Sequence, residues 1–277
     1  MKFFRRLIFL AIIGGLVWIG LFHQAEISRF FFPSPPPGAP TEKPLKFAVM
    51  ADIHLDTENL KMGVEKAKKD QVEFIIITGD LTSLGKRDEL LKIKKVLDDG
   101  GIKYYVVPGN HDLWASQQFK ANIFREVFGK DFQSFKEDGT KFILVNDGGY
   151  GGIRGVRGSE GEGQGEWLEK ELEECLQITC LVFMHIPLNH PNSLHVMGEE
   201  NEKVTEEAKR WVKLFVQEKV KEVFAGHLHY SSSYELDGLR TTVVGAISKD
   251  RNLQSPKFLE VLEEAVELEP KEVFVAE

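Results

Sequence analysis

Short apolar runs alternate with amphipathic segments through the first half of the chain beyond residue 45. Three continuous runs predict short strands, and the second, which is β-branched, is typical of a strand buried on both faces; they are residues 47–50, 74–77 and 104–107. Three segments predict helices, the second of them with apolar residues at helical spacing; they are residues 60–71, 88–98 and 116–128. Gly100 and Gly101 predict the end of the second helix.

Turn signals and strand-like runs dominate the second half of the chain. Asp138 and Gly139 predict a hairpin turn between strands at 132–135 and 141–145. The glycine-dense segment from Gly148 to Gly165 predicts a long loop, and whether it covers a site is left open. Helices are expected at 166–175 and 202–218, and strands at 180–183, 222–225, 232–236, 241–244, 258–261 and near Phe274. This order predicts an α/β fold with two packed mixed sheets and helices outside them.

The N-terminal segment has a different pattern. An uncharged apolar run from Leu7 to Phe22 follows a basic start, so residues 1–22 are expected to form a transmembrane anchor or a signal segment. No small residue lies two positions before Ala25, and an uncleaved anchor is therefore favoured over a cleaved signal peptide. A buried helix is disfavoured because no polar stripe runs along the segment.

A proline-rich segment separates the apolar run from the rest of the chain. Residues 23–44 predict a stiff, extended linker, and residues 45–277 then form the folded domain. The basic residues around the run are Lys2, Arg5 and Arg6 before it and Arg29 and Lys43 after it. By the positive-inside rule, this asymmetry predicts a single-pass protein of the cell membrane whose domain lies outside the cytoplasm.

The net charge limits the kinds of partner that the protein can bind, and the cysteine content bears on whether a disulfide forms. The formal net charge is −8, so broad binding to nucleic acid is not expected, although a small phosphate ligand could bind where metal ions supply positive charge. The two cysteines, Cys175 and Cys180, could form a disulfide in an exported domain. Two buried thiols are the favoured interpretation, because sequence does not show their geometry. The oligomeric state is left open.

Chemistry-bearing residues follow the predicted strands. Five of the eight histidines lie just beyond a buried strand, each among polar or glycine neighbours. The segments are Asp52-Ile53-His54, Gly79-Asp80, Gly109-Asn110-His111-Asp112, Met184-His185 and Gly226-His227-Leu228-His229. Loops converge at strand ends on one edge of a sheet, and ligand sites form there. Each segment alone is weak, but the joint pattern is very improbable by chance.

Residue type and spacing point to a pair of metal ions. Asp52 and His54 are separated by one residue, as are His227 and His229, so each pair points to one side of an extended strand end. Two divalent ions need a bridging carboxylate and a shell of oxygen and nitrogen donors. The set contains imidazole, carboxylate and amide groups, which suit zinc, manganese or iron rather than a structural cysteine–zinc site.

The ordered motifs resemble those of the calcineurin-like metallophosphoesterase superfamily, over roughly residues 47–247. The resemblance implies a four-layer α/β/β/α sandwich with two divalent metal ions. The first ion would be bound by Asp52, His54, Asp80 and His229, with Asp80 bridging, and the second would be completed by Asn110, His185 and His227. Catalysis would use Asn110, which holds phosphoryl oxygens, and His111, which lies beside the phosphoryl group without binding metal.

Two departures from the superfamily narrow the resemblance. Segment 79–85 lacks the second aspartate of the protein phosphatases, and Ser83 stands where purple acid phosphatases carry a ligating tyrosine. The chain looks more like the bacterial phosphodiesterases, and what orients His111 is left open.

The expected reaction is hydrolysis of a small phosphoester, by a hydroxide that bridges the two metals. Alternatives are a phosphomonoesterase or pyrophosphohydrolase on nucleotides or lipid headgroups. A non-enzymatic scaffold is disfavoured, since every ligand position is filled.

Overall fold

Two β-sheets form the centre of the domain. The computed structural model describes residues 45–116, 120–149, 152–156, 163–199 and 202–252, and the backbone strands of 257–264 and 267–274. The first sheet contains β1 (Leu45–Met50), β2 (Phe74–Thr78), β3 (Lys103–Val107), β10 (Lys257–Glu264) and β11 (Glu267–Phe274). The second contains β4 (Gln133–Glu137), β5 (Thr140–Leu144), β6 (Thr179–Phe183), β7 (Glu222–Ala225), β8 (Ser232–Leu236) and β9 (Leu239–Val243).

Each sheet contains a block of parallel strands, with antiparallel strands at one edge of the first sheet and at both edges of the second. The strand order is β11-β10-β1-β2-β3 in the first sheet and β4-β5-β6-β7-β9-β8 in the second. Strands β1, β2 and β3 run parallel, as do β5, β6, β7 and β9. The carboxyl ends of the parallel strands in a sheet therefore meet at one edge, which is where the sequence places the polar motifs.

Helices cover the outer faces of both sheets. They are α1 (Thr57–Lys69), α2 (Arg87–Gly100), α3 (Asn110–Leu113), α4 (Asn122–Phe128), α5 (Gln164–Leu172) and α6 (Glu202–Gln217), with 3-10 turns at Glu173–Leu176 and Met197–Glu199. The Asp56 carboxylate caps α1 by accepting from the Asn59 N–H, and α2 ends at Gly101 in the left-handed conformation.

Alternation of side chains along the strands separates three apolar layers. In β1, Phe47 and Val49 face the second sheet, whereas Ala48 and Met50 face the helices. In β6, Phe183 packs between the sheets, and Val182 packs against α5 and α6. The resulting order of helices, sheet, sheet and helices confirms the expected α/β architecture with its two packed mixed sheets.

Two local predictions were wrong. The helix expected over 116–128 is formed only at Asn122–Phe128 within the described residues. The Ser116 hydroxyl donates to the carbonyls of Leu113 and Lys120, and such side-chain bonds to the backbone compete with helix formation. Cys175 and Cys180, favoured as two thiols, form a disulfide because the 3-10 turn after α5 brings the first beside the start of β6.

Several predicted segments lie outside the described residues. The apolar segment 1–22, the linker 23–44 and parts of the loop from Gly148 to Gly165 are among them. Among the described residues, no helix has both the length and the apolar character that a membrane span requires.

Candidate metal centre

The loops that follow β1, β2 and β7 hold their polar residues in an unusual backbone conformation. Five polar residues of these loops have positive φ, namely Asp52 (52°), His54 (45°), Asp80 (53°), His227 (69°) and His229 (60°). Left-handed conformations cost energy in residues with a side chain, and they persist where the surroundings hold them. Here the first two loops bind each other, because the N–H groups of Asp52 and His54 donate to the carbonyls of Gly79 and Asp80 at 3.1 and 3.0 Å.

Two glycines allow these loops to approach closely. A Cβ atom at Gly79 (φ 88°) would lie 2.6 Å from His185 Nδ1 and 2.7 Å from the Gly109 nitrogen. A Cβ atom at Gly109 would lie 2.2 Å from Asp80 Oδ1. Both positions therefore require glycine, and the reason is the contact between neighbouring loops.

The first donor group comprises Asp52, His54, Asp80 and His229, whose ligand atoms all lie within 4.8 Å of one another. His54 Nε2 lies 3.2 Å from His229 Nε2 and 3.6 Å from Asp80 Oδ2. His229 Nε2 lies 3.6 Å from Asp52 Oδ1. Two imidazole nitrogens and two carboxylates thus converge on one point at the ends of β1, β2 and β7.

The second donor group shares Asp80 with the first and adds His185 and His227. His185 Nε2 lies 3.4 Å from Asp80 Oδ2, 3.3 Å from His227 Nδ1 and 3.1 Å from Asn110 Oδ1. All seven predicted ligand residues therefore come together, and the carboxylate of Asp80 stands between the two groups.

The electrostatics of the cluster fit metal cations. Burial lowers the pKa of His54 and of His227 to about 3, so both imidazoles are neutral near pH 7 and present lone pairs. Burial also opposes charge on His185, but the charges of Asp80, Asp52 and Asp147 outweigh it and raise the pKa of His185 to about 10. The carboxylates thus favour positive charge at this position, which a proton or a metal cation can supply. Nitrogen and oxygen donors of this kind suit divalent transition metals.

Hydrogen bonds with backbone groups orient the ligand candidates. The Nδ1–H of His185 donates to the Thr78 carbonyl at 2.8 Å, which directs Nε2 into the cluster. The His227 N–H donates to the Asp52 carboxylate at 3.0 Å. Asp147 accepts from the N–H groups of His185 and Ile186, each at 2.8 Å, so this buried carboxylate fixes the loop after β6. Sequence reasoning missed Asp147, although it lies in a polar turn just after β5.

Asp112 connects two of the ligand-bearing loops. Its buried carboxylate accepts from the N–H groups of Leu81, Thr82 and Gly109 at 3.1, 2.9 and 3.0 Å and from the Thr82 hydroxyl at 2.8 Å. Burial and the charge of Asp80 raise the pKa of Asp112 to about 7. The sequence placed Asp112 in a motif, but its role as a link between the loops after β2 and β3 emerges only from these contacts.

His111 lies beside the first donor group with its ring held on three sides. Its Nδ1–H donates to the Ser83 carbonyl at 2.9 Å, and its backbone N–H donates to Asp80 Oδ1 at 2.9 Å. The ring meets that of His54 edge to face at 4.8 Å and lies against Trp114 at a centroid distance of 3.8 Å. The Ser83 carbonyl therefore orients His111, which answers a question left open by the sequence.

A further charged residue acts on the cluster. Arg251, missed by sequence reasoning, adds positive charge that helps to lower the pKa of His54 and His229 beyond the effect of burial. The fold places Arg251 near the cluster through a turn that binds the segment after β1, since the Ser248 N–H donates to the Asp52 carbonyl at 3.1 Å.

Proteins of similar sequence are named as phosphodiesterases or as a phosphatase. The chain is 28% identical over 143 residues to a probable glycerophosphodiester phosphodiesterase from Arcobacter nitrofigilis, with 49% of each chain covered. It is 27% identical to a serine/threonine-protein phosphatase from Bos taurus, covering 63% of this chain and 59% of the relative. A probable cyclic nucleotide phosphodiesterase from Fibrobacter succinogenes is 22% identical, with coverage of 71% and 77%. The chain thus spans about half the length of the first relative.

Solved structures share the fold at low sequence identity. A dimetal phosphatase from Danio rerio superposes with a TM-score of 0.58 and 16% identity, covering 85% of this chain and 98% of the other. A purple acid phosphatase from yellow lupin gives a TM-score of 0.57 at 13% identity, with coverage of 84% and 52%. A model of the calcineurin-like phosphoesterase family matches residues 45–231, a segment that contains both donor groups and His111. The chain therefore belongs to the calcineurin-like phosphoesterase family.

Proposed function

We propose that the protein hydrolyses phosphate esters, and phosphodiesters in particular, at a dinuclear metal centre. The carboxylate of Asp80 carries the proposal, because it belongs to both donor groups and can bridge two ions. Asp52, His54 and His229 would complete the first site, and Asn110, His185 and His227 the second. Two bound divalent ions would supply Lewis-acid chemistry, lowering the pKa of water and neutralising phosphoryl charge.

The chain's own groups then perform three tasks. Asn110 lies 3.1 Å from His185 Nε2, where its amide can hold a phosphoryl oxygen beside the second donor group. His111 uses Nδ1 to bind the Ser83 carbonyl, so Nε2 is the atom that can give a proton to the leaving alkoxide. Asp112 and Asp147 hold the loops that carry these side chains in one arrangement.

Metal analysis tests the dinuclear site directly. Purified protein is expected to contain close to two transition-metal ions per chain, and chelation is expected to abolish hydrolysis. Restoring activity with manganese, iron or zinc would identify the metals that the site accepts. Full activity in metal-free protein would contradict the proposal.

The preferred bond type is tested with matched substrates. We expect kcat/KM to be higher for an aryl phosphodiester than for the corresponding monoester, because a monoester carries an additional negative charge and the protein is itself acidic. The names of two relatives as phosphodiesterases support this expectation. A higher kcat/KM for the monoester would instead favour the alternative of a phosphomonoesterase.

The domain is proposed to act outside the cytoplasm, attached to the membrane through residues 1–22. The disulfide between Cys175 and Cys180 supports this location, because disulfides persist in oxidising compartments. The excess of basic residues before the apolar run supports the same orientation. Anchoring does not by itself imply a lipid substrate, since the linker can extend the domain away from the bilayer.

A further inference from the structure

Two large apolar side chains lie exposed on segments that contact His111. Trp114 is 42% exposed and Leu84 is 41% exposed, and they are two of the seven large hydrophobic side chains that the described residues expose. We call Trp114 and Leu84 the apolar lip. Single exposed apolar residues need no explanation, but a pair beside a proposed general acid is a candidate for substrate contact.

The lip is held firmly in place. Trp114 follows α3 directly, and its ring lies tilted by 34° against the imidazole of His111 at 3.8 Å between centroids. Leu84 follows Ser83, whose carbonyl accepts from His111 Nδ1, and the Leu84 N–H donates to Glu89 at 2.9 Å. The ring contact therefore fixes the Trp114 side chain relative to His111, and the hydrogen bonds fix the backbone at Leu84.

The position of His111 decides what the lip can contact. Its ring lies edge to face with that of the metal-ligand candidate His54, and it also lies against the Trp114 ring of the lip. Since Nδ1 is taken by the Ser83 carbonyl, an oxygen that receives a proton from His111 must lie at Nε2. A group attached to that oxygen would lie beside His111, within reach of the Trp114 ring that packs against the same imidazole.

We propose that the apolar lip binds the leaving group of the substrate and selects phosphodiesters whose leaving alcohol carries a flat aromatic ring, of the aryl or nucleoside type. The proposal rests on the proposed function, because it uses His111 as the proton donor. An indole face and a leucine side chain offer stacking and apolar contact, whereas a small polyol has little apolar surface to bury. Stacking of one ring on an aromatic side chain changes affinity by roughly 5- to 100-fold.

Two methyl phosphodiesters test the selection, one with benzyl alcohol and one with 2-methoxyethanol as the leaving group. These alcohols have similar acidity, so the chemical demand on His111 is nearly the same. With metal-loaded full-length protein, kcat/KM is expected to be at least about tenfold higher for the benzyl ester. Trp114→Ala is expected to reduce the ratio to about one, mainly through KM, and Trp114→Phe is expected to retain most of it.

Matched variants separate substrate contact from support of His111. Leu84→Ala is expected to lower the ratio, whereas Leu91→Ala, which removes a 40% exposed leucine on α2, is expected to leave it unchanged. Equal losses for both esters in Trp114→Ala would overturn the proposal, because Trp114 would then only hold the imidazole. Absence of a benzyl preference in the unmodified protein would also overturn it.

A binding measurement distinguishes failure of the lip from failure of the proposed function. Calorimetry compares benzylphosphonate with ethylphosphonate on metal-loaded protein, without turnover. Tighter binding of benzylphosphonate by about tenfold, lost in Trp114→Ala, supports the lip even if neither diester is hydrolysed. Equal affinities for the two phosphonates, together with hydrolysis of both diesters at equal rates, overturn the lip and leave the phosphoesterase function standing.

Discussion

The two carboxylate oxygens of Asp80 make different contacts. Oδ1 accepts from the backbone N–H of His111, and Oδ2 lies 3.6 Å from His54 Nε2 and 3.4 Å from His185 Nε2. Burial raises the pKa of Asp80, but the charge and the hydrogen bond of His185 dominate and hold it below its usual value. The residue therefore stays ionised, as a bridging ligand must.

Asp80→Asn is expected to lower the metal content below one ion per chain and to reduce kcat by about 10³ or more, because several kcal/mol of charge stabilisation are lost. The amide oxygen can still accept from His111, so the local backbone is retained. Elemental analysis and initial rates measure both effects, with Asp99→Asn as an exposed control on α2. Normal metal content in Asp80→Asn would contradict its place between the donor groups.

His111 is expected to act on the leaving group without holding metal. His111→Ala should retain about two metal ions per chain while kcat falls by about 10²–10⁴, the range for loss of a general acid. The loss should be smaller for nitrophenyl esters, whose leaving group needs no proton. A variant that loses metal along with activity would place His111 among the ligands instead.

At the scale of elements, the site depends on loops that bind one another. The loops after β2 and β3 are connected through Asp112, which receives four hydrogen bonds from three residues. The loops after β5 and β6 are connected through Asp147 in the same manner. In these loops the backbone N–H groups therefore donate to buried carboxylates, and not to the backbone carbonyls of a helix or a sheet.

Asp112→Ala would leave the N–H groups of Leu81, Thr82 and Gly109 buried without their acceptor. We expect the free energy of unfolding to fall by about 3–5 kcal/mol, since each unsatisfied group costs about 1–3 kcal/mol and relaxation recovers part of it. Urea unfolding followed by circular dichroism measures the loss. A change below about 0.5 kcal/mol would show that water replaces the carboxylate without cost.

The disulfide ties the 3-10 turn after α5 to β6. Closing a loop of about six residues removes enough entropy from the unfolded chain to stabilise the fold by about 2 kcal/mol. The double variant Cys175→Ser, Cys180→Ser is expected to lose about this amount. Reductant should destabilise the unmodified protein and leave the double variant unaffected; equal responses would mean that the bond contributes little.

At the scale of the whole molecule, two sheets place strand ends from both halves of the chain around one centre. Asp52, Asp80 and Asn110 come from the first sheet's side, and His185 and His227 come from the second. The apolar layer between the sheets contains Phe47, Phe74, Phe142, Phe183 and Phe224. Packing of these rings sets the distance between the ligand candidates of the first sheet and those of the second.

Fractionation tests the proposed attachment of the whole chain. Full-length protein is expected to remain in the membrane fraction after high-salt and carbonate washing, since a spanning helix is not held by electrostatics. Protease added outside spheroplasts is expected to release an active fragment beginning between His23 and Pro44. Protection of the domain from external protease would reverse the orientation, and a soluble chain starting just after the apolar run would show a cleaved signal peptide.

Sequence alone determined the types of the candidate ligands, their order and their place after strands. Periodicity and strand-ending glycines act over a few residues, so the runs before Asp52, Asp80 and His185 were recognisable without the fold. The seven ligand candidates and His111 were named in this way, and the structure brings them together.

Only the tertiary structure decided how these residues are held. The contacts of Asp112 with Leu81 and of His185 with Thr78 join residues 31 and 107 positions apart. The stacking of Trp114 on His111 and the pairing of the cysteines depend on side-chain directions that no spacing specifies. Local pattern encodes which side chains stand at a strand end, whereas the partner of each is set by the packing of distant segments.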